Sequence, residues 1–487
     1  MQISFDPKAF AFQLVNTETK KKEVVRPLDG IKVRLYTCGP TVYDVAHIGN
    51  FRTFVFEDLL CRAIRFFGMA VIQVMNLTDV DDKTIRGAIK NNVTLDEFTR
   101  PFKEAFFEDL KAMNIVAADH YPEATSYIQE MIVMIEELLK DGVAYKGSDG
   151  SIYFAIAKFN SYGKLSHLKL ESLQHGASNR VEHDEYLKES ASDFVLWKKY
   201  DPERDGKIFW ESPFGPGRPG WHIECSCMAK ALLGETLDIH AGAVDLIFPH
   251  HENEIAQSEA CNKKPLAKLW VHAEHLLVDH KKMSKSLGNF YTLRDLLAKG
   301  YSGRVIRFLL LQSHYRMQLN FSFQALDGAK TSLARIDECI VRLESFTGEK
   351  VGGLTLKGYL EGILFEFAKV LSDDLNVAEA LAQLFEMIRH INSLYDKAAL
   401  TKEDVQATLE VLQKMDAVLG VMDFEKAEIP DEIQALVQQR ATARLEKNWK
   451  RSDELRAELS QRGYVVEDTP DGARVKRNKI MRVQNKE

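Results

Sequence analysis

Two histidines and two glutamates fall within five positions of "FPHHENEIAQ", residues 248 to 257. His250 and Glu254 stand four apart and share one face of a helix, the spacing of a two-ligand metal site, and His251 is expected to point elsewhere. A second stretch, "KKMSKSLGN" at residues 281 to 289, sets Lys282 and Lys285 three apart in a loop rich in Ser and Gly. Such lysines suit a transferring phosphate group, where catalysis is mainly positioning and charge neutralisation, although a short basic turn is more often simply solvated. A third, "HIGN" at residues 47 to 50, follows an apolar strand and opens a helix. Unpaired amides and the helix dipole favour phosphate there, and His47 can donate as negative charge builds. By contrast "GPGRPG", residues 215 to 220, matches G-x-G-x-x-G literally, but Pro216 and Pro219 forbid the strand-to-helix turn that gives that motif its mechanism.

The elements that must position these residues read as α/β. "GIKVRLYTCG" is a buried strand ending at Cys38, "HIGNFRTFVFEDLLCRAIRFFG" has helical period through Phe54, Leu59, Ala63 and Phe67 with Gly68 as its stop, and "AVIQVMNLTDVDD" is a second strand. That order belongs to a parallel sheet with a nucleotide site at the carboxyl ends of its strands. Residues about 120 to 210 differ, with an amphipathic helix in "YIQEMIVMIEELLKDG" and a hairpin turning at Ser148-Asp149-Gly150, and look inserted. The strand pattern resumes in "TLDIHAGAVDL" and "WVHAEHLLVD", so the Rossmann-like domain is split. Beyond residue 291 the chain turns helical, with Leu381, Leu384, Phe385, Ile388 and Ile391 on one face and Asn376 and Glu379 spaced as a capping box. A helix closing at Gly463 and a hairpin with a Pro-Asp-Gly turn finish it, and from Arg474 onward six Lys or Arg accompany one acidic residue, Glu487.

A chain of 487 residues implies three or four domains, and 45% hydrophobic with 28% charged residues is the balance of a folded protein. The N-terminus lacks the pattern of a secretory signal and no apolar run approaches the ~18 residues of a membrane span, so a cytoplasmic protein without a membrane partner is expected. Six cysteines without C-x-x-C are expected to be reduced. The net charge of −7 argues only weakly against a nucleic-acid partner, because phosphates feel local patches.

H-I-G-N after the first strand and K-M-S-K-S after the last resemble the two signatures of class I aminoacyl-tRNA synthetases, with Asn50 in place of the final His of H-I-G-H. Nearly the whole chain resembles the cysteinyl-tRNA synthetase family, on "YTCGPTVYD", "HIGN", "NLTDVDDK", "GRPGWHIECS", "FPHHENEIAQS" and "KMSKSLGN" in family order. The resemblance implies a split Rossmann-like catalytic domain (1–119 and 211–290) with an inserted α+β domain (120–210). A stem-contact linker (291–350), a helical bundle (351–425) and a small α/β anticodon-binding module (426–487) follow. It implies one zinc ion on Cys38, Cys225, His250 and Glu254, a donor set zinc accepts, with substrate thiolate as a further ligand. Serine is a far poorer ligand for such a site, so no editing domain is needed and the insertion is not read as one.

By the same resemblance His47, Gly49 and Asn50 contact ATP, which enters with Mg2+, and Lys285, with Lys282 as a second candidate, stabilises charge as cysteinyl-adenylate forms. Thr78 and Trp221 line the cysteine pocket, while Arg444, Trp449, Asp453 and Asp468 meet unpaired anticodon bases of tRNA(Cys). A monomer is implied. Cys61, Cys227, Cys261 and Cys339 are read as packing residues, and Asp81 and Asp82 lack the rest of a cation loop. The chain departs from the family at Ala241 and Ala243 of "HAGAVDL" and at Val377 and Ala378 of "DDLNVAEA". Other readings fit less of it. A cysteine ligase for an amino-sugar thiol precursor would not need the basic C-terminal module, a nucleotidyltransferase would not need four distant zinc ligands, and an inactive tRNA-binding paralogue would not keep both loops.

Overall fold

The computed structural model describes residues 3–168, 193–284, 287–348, 355–424, 430–462, 464–469 and 472–477. The chain divides into two compact units, 1–295 with 303–421 and 296–302 with 422–487.

The first unit begins with a hairpin of β1 (Gln13–Asn16) and β2 (Lys21–Val24) and continues into the central sheet. Strands β3 (Lys32–Thr37), β4 (Ala70–Met75), β9 (Leu237–Ala243) and β10 (Ala267–Ala273) pair in parallel in the order β10-β9-β3-β4. Two of the four come from each side of a long interruption, so the expected split sheet is present. Order reverses between β9 and β3, which opens a crevice at their carboxyl ends. Helix α1 (Ile48–Phe66) makes the β3-to-β4 crossover and ends at Phe67, with Gly68 at φ +77° as the stop. Phe54, Leu59, Ala63 and Phe67 are buried as their period requires, but so are Arg52, Glu57 and Asp58. The helix is covered on nearly all sides, because it packs on the sheet and against helices α7 (Gly303–Leu311) and α11 (Lys402–Leu419). Each fully buried Phe or Leu there contributes about 1.5–3 kcal/mol.

Helices α2 (Asp82–Asn91) and α3 (Leu95–Ala112) follow β4. The interruption then supplies helix α4 (Ile128–Lys140) and an antiparallel sheet of β5 (Ala144–Lys146), β6 (Ile152–Phe154), β7 (Phe194–Lys199) and β8 (Gly217–Pro219). Residues 217–219 of the glycine- and proline-rich stretch thus form an edge strand, which accounts for their failure as a dinucleotide turn. The insertion shares one core with the catalytic sheet, running from Tyr36 and Val74 through Phe154 and Trp197 to Trp270. Helices α5 (Trp221–Leu233) and α6 (Glu252–Asn262) flank β9.

Helices α8 (Phe323–Glu344), α9 (Lys357–Ser372), α10 (Val377–Asp396) and α11 form the bundle. In α10, Leu381, Leu384, Ile388 and Ile391 are buried, and half-buried Phe385 meets Phe308 edge-on. Half of the expected capping box forms: Asn376 accepts from the Glu379 amide at 3.4 Å. The second unit packs α12 (Asp431–Leu445) and α13 (Trp449–Gln461) with a hairpin of β11 (Tyr464–Thr469) and β12 (Gly472–Arg477) over a small core of Ile433, Leu459, Tyr464 and Val466. Gly463, the turn residues 470–471 and the basic residues 478–487 lie outside the described residues. No helix among the described residues is long and apolar enough to cross a membrane.

Candidate metal centre and nucleotide-binding loops

Cys38 directly follows strand β3, and Gly39 carries the turn because a Cβ there would lie 1.9 Å from the Asn76 carbonyl oxygen. Cys225 sits on α5, which begins at Trp221, and His250 and Glu254 on the turn into α6. Cys38, Cys225, His250 and Glu254 are all buried, and their donor atoms all lie within 4.8 Å of one another. The spacing of four places the His250 Nε2 3.0 Å from Glu254 Oε1. The sequence reading of the set therefore converges on one point in space.

His251 does not point elsewhere. Ile247–His251 is a widened helical turn with an extended Phe248 inside it, so 250 and 251 do not splay as they would on a regular helix. The His251 Nε2 lies 3.3 Å from Cys38 Sγ, and Cys38, His240, His251 and Glu254 form a second buried group of donors sharing two members with the first. Glu254 joins the two groups, since its other oxygen is 2.9 Å from His240 Nε2. His251 Nδ1 is 2.8 Å from His272 Nε2, His272 Nδ1 is 2.7 Å from Thr17 Oγ1, and His222 Nδ1 is 3.0 Å from His250 Nδ1. His222, His240, His251 and His272 were missed in the sequence. The available signal was a histidine in each of two apolar strands, His240 at the middle of β9 and His272 near the carboxyl end of β10, which pair in parallel with His240 opposite Trp270 and His272 opposite Gly242.

Burial alone would protonate Glu254, but His240 and His250 outweigh it and hold the carboxyl down at about 2. Burial likewise opposes a charged His250, yet Glu254 and Cys225 raise it to about 10. Burial pushes the Cys38 thiol well up, with Cys225 adding to the effect, whereas Cys225 is lowered to about 6 against its burial by Cys38 and His250. One thiol is thus already poised as thiolate beside a carboxylate and imidazoles, a donor chemistry that fits zinc.

Of the two residues expected to line the cysteine pocket, Trp221 lies against His250 with ring centroids 4.1 Å apart. Thr78 is buried, accepts a 3.1 Å hydrogen bond from Asn76 Nδ2, and exchanges backbone bonds with Pro40 and Val42 of the cysteine loop. Asp81 caps α2 by accepting from Lys83 and Thr84 amides at 2.7 and 2.8 Å, and Asp82 pairs with Arg218 and Lys198. These carboxylates are spent on structure. Cys227 faces Met134 and Cys61 faces Gln73, Cys339 is buried in α8, and half-buried Cys261 bonds Glu137.

His47 is the N-cap of α1, its Nδ1 accepting from the Asn50 amide at 3.2 Å while Asn50 Oδ1 accepts from the His47 amide at 3.0 Å. Asn50 thereby closes a capping box. The expectation of unpaired first-turn amides needs correction: Ile48 N–H donates to Tyr291 O at 3.0 Å, and Gly49 N–H has no acceptor among the described residues. That bond joins "HIGN" to the segment after the lysine loop, where Phe290 meets the His47 ring edge-on at 5.2 Å. Lys282 is exposed in a short strand whose carbonyl accepts from Asn289, and Lys285 lies outside the described residues.

In the second unit Arg444, Trp449 and Asp453 are exposed, and the Arg444 guanidinium lies 5.7 Å from the Trp449 ring centre. Asp468 lies in β11, its side chain outside the described residues.

Residues 24–331 match the family of tRNA synthetases class I (C) catalytic domains, residues 366–423 the DALR domain, and residues 426–475 the cysteinyl-tRNA ligase anticodon binding domain. The cysteine–tRNA ligase of Protochlamydia amoebophila is 57% identical over 96% of this chain and 98% of its own length. That of Chlamydia abortus is 55% identical over 95% of this chain and 97% of its own. Among solved structures, Mycobacterium tuberculosis methionyl-tRNA synthetase in complex with methionyl-adenylate shares the fold at TM-score 0.60 and 13% identity, over 80% of this chain and 92% of that one.

Proposed function

The chain belongs to the cysteine–tRNA ligase family of class I aminoacyl-tRNA synthetases, and from that premise we propose that Cys38, Cys225, His250 and Glu254 hold one zinc ion beside the cysteine pocket. The observation that carries this reading is the convergence of four buried donors within 4.8 Å. When bound, zinc supplies a soft Lewis acid that takes a substrate thiolate and discriminates against the serine hydroxyl. To serve as ligands, Cys38 and His250 would give up the protons that burial and their neighbours favour.

The reaction joins L-cysteine to tRNA(Cys) in two steps. The cysteine carboxylate attacks the α-phosphorus of ATP, giving cysteinyl-adenylate and pyrophosphate, and the terminal ribose hydroxyl of the tRNA then displaces AMP. Because Asn50 N–H donates to His47 Nδ1, the neutral ring keeps its proton on Nε2, the atom we assign to the triphosphate together with the Gly49 amide. Asn50 acts by holding that ring. Lys285, with Lys282, neutralises charge as pyrophosphate leaves, with Mg2+ accompanying ATP. Trp221, against the His250 ring, and Thr78, bonded to the backbone of the loop after Cys38, shape the cysteine pocket. Arg444, Trp449, Asp453 and Asp468 read the anticodon, where an exposed aromatic beside a guanidinium offers a stacking surface for unpaired bases. The layout is a catalytic domain at 1–119 and 211–290 around an insertion at 120–210, a stem-contact linker at 291–350, a bundle at 351–425 and an anticodon module at 426–487, working as a cytoplasmic monomer.

The test is exchange of labelled pyrophosphate into ATP with cysteine or serine, with metal content measured on the same sample. Exchange with cysteine and not serine, from protein holding about one zinc, is the expected result. Zinc-loaded, folded protein without cysteine-dependent exchange would overturn the reading.

A further inference from the structure

The last turn of α11 is held in an unusual way. Four successive or near-successive backbone carbonyls at its end accept from side chains on α1, on α7 and at Asn114: Ala417 from Arg62 at 3.4 Å, Leu419 from Arg307 at 2.8 Å, Gly420 from Asn114 at 2.8 Å and Val421 from Arg304 at 2.7 Å. Cations suit the negative end of a helix, but one would do, and most helices are capped by backbone alone. Here two of the arginines are organised by a single acid. Asp58 is 2% exposed, its Oδ2 lies 2.7 Å from Arg62 Nε and 2.5 Å from Arg307 Nη2, and its Oδ1 accepts from the Val116 amide at 2.9 Å. Arg307 is fully buried. Gly420 is the residue that lets them close in: it sits at φ +63°, and a Cβ there would stand 3.0 Å from Arg62 Cζ and 3.2 Å from Arg307 Nε.

Buried ion pairs are poor sources of stability, since apolar residues of similar volume often do as well, whereas they do fix geometry. What is fixed matters for a family whose substrate must be held at two places. Asp58 lies on α1, the helix whose first turn is "HIGN", and Val421 is the final residue of the first unit before the chain enters residues 422–487. The segment matching the anticodon binding domain begins five residues on, at 426. We propose that Asp58, acting through Arg62 and Arg307, is a positioning residue that anchors the chain's exit toward the anticodon module to the helix carrying "HIGN", so that charging of whole tRNA depends on it while cysteine activation does not. The proposal rests on the family reading given above. A tRNA engaged at both its anticodon and its 3′ end gains from a second contact only when the tether between the two is anchored, and a loosened anchor forfeits that gain.

The experiment uses the full chain with Asp58→Asn, which keeps the shape and removes the charge between the arginines, and Gly420→Ala, which pushes both guanidiniums away while leaving Asp58 itself in place. Three rates are compared with the parent: cysteine-dependent pyrophosphate exchange, charging of full-length tRNA(Cys), and charging of an acceptor-stem minihelix that lacks the anticodon. Exchange and minihelix charging should stay within about twofold, while kcat/KM for full-length tRNA falls about tenfold, mostly in KM. Equal losses on tRNA and minihelix, exchange falling with both, or full-length charging unchanged in a folded variant would each overturn the proposal. Should Asp58→Asn fail to fold, Gly420→Ala decides alone. Absence of cysteine-dependent exchange in the parent would instead strike the family reading, independently of the clamp.

Discussion

At the scale of single residues, carboxylates in this protein meet opposite fates according to who faces them. Glu254, buried, is kept ionised because two imidazoles surround it. Glu57, equally buried on α1, has no hydrogen-bond partner for either oxygen among the described residues, and burial pushes its acid well above the usual glutamate range. The folded protein thus keeps a proton that the unfolded chain releases near pH 4–5, so the stability charged to Glu57 falls as pH rises from that range toward the folded value. Replacing Glu57 by Leu removes both the proton linkage and the unsatisfied oxygens. We expect a gain of about 1–3 kcal/mol at pH 8, shrinking toward pH 5, read as the denaturation midpoint of both proteins at the two pH values. A gain independent of pH would show that the carboxyl does not titrate in this way. Neither Glu57 nor His251 was legible at this scale from sequence, because each looks like an ordinary polar neighbour of a periodic residue.

Elements explain more of the site than residues do. The start of α1 is set by a reciprocal cap between His47 and Asn50, so the departure from a final histidine is accommodated by local hydrogen bonding. Gly49 between them is a matter of space: a Cβ would lie 2.9 Å from the His47 ring and 3.1 Å from Met283 of the lysine loop. Gly49→Ala should therefore push two loops apart at once. Its expected signature is a fall of about tenfold in kcat for pyrophosphate exchange with zinc content and cysteine KM unchanged, corresponding to ~1.4 kcal/mol at the transition state. Loss of zinc in the same variant would place the damage elsewhere. The turn Ile247–His251 is the other decisive element, since its widened geometry brings His250 and His251 into one cluster that a regular helix would separate.

On the scale of the whole molecule, a chain of net charge −7 that works on a polyanion must place its positive charge locally. Cysteine activation needs no phosphate-backbone contacts, but tRNA charging does. Raising salt from 50 to 200 mM should then raise the KM for tRNA about tenfold while leaving cysteine-dependent exchange nearly unchanged, and parallel losses in both rates would contradict that division. What the sequence by itself determined was whatever is written in short range. The strand-helix-strand order, the glycine stop at Gly68, the His250 and Glu254 spacing and the separation into catalytic and C-terminal parts all follow from period, caps and composition. The tertiary structure alone decided which distant groups meet. From neighbouring strands His240 reaches Glu254 and His272 reaches His251, Tyr291 takes the Ile48 amide, and Asp58 reaches the end of α11 through Arg307. Those contacts bridge up to hundreds of residues, and a local pattern carries no record of a partner that only the folded backbone brings within 3 Å.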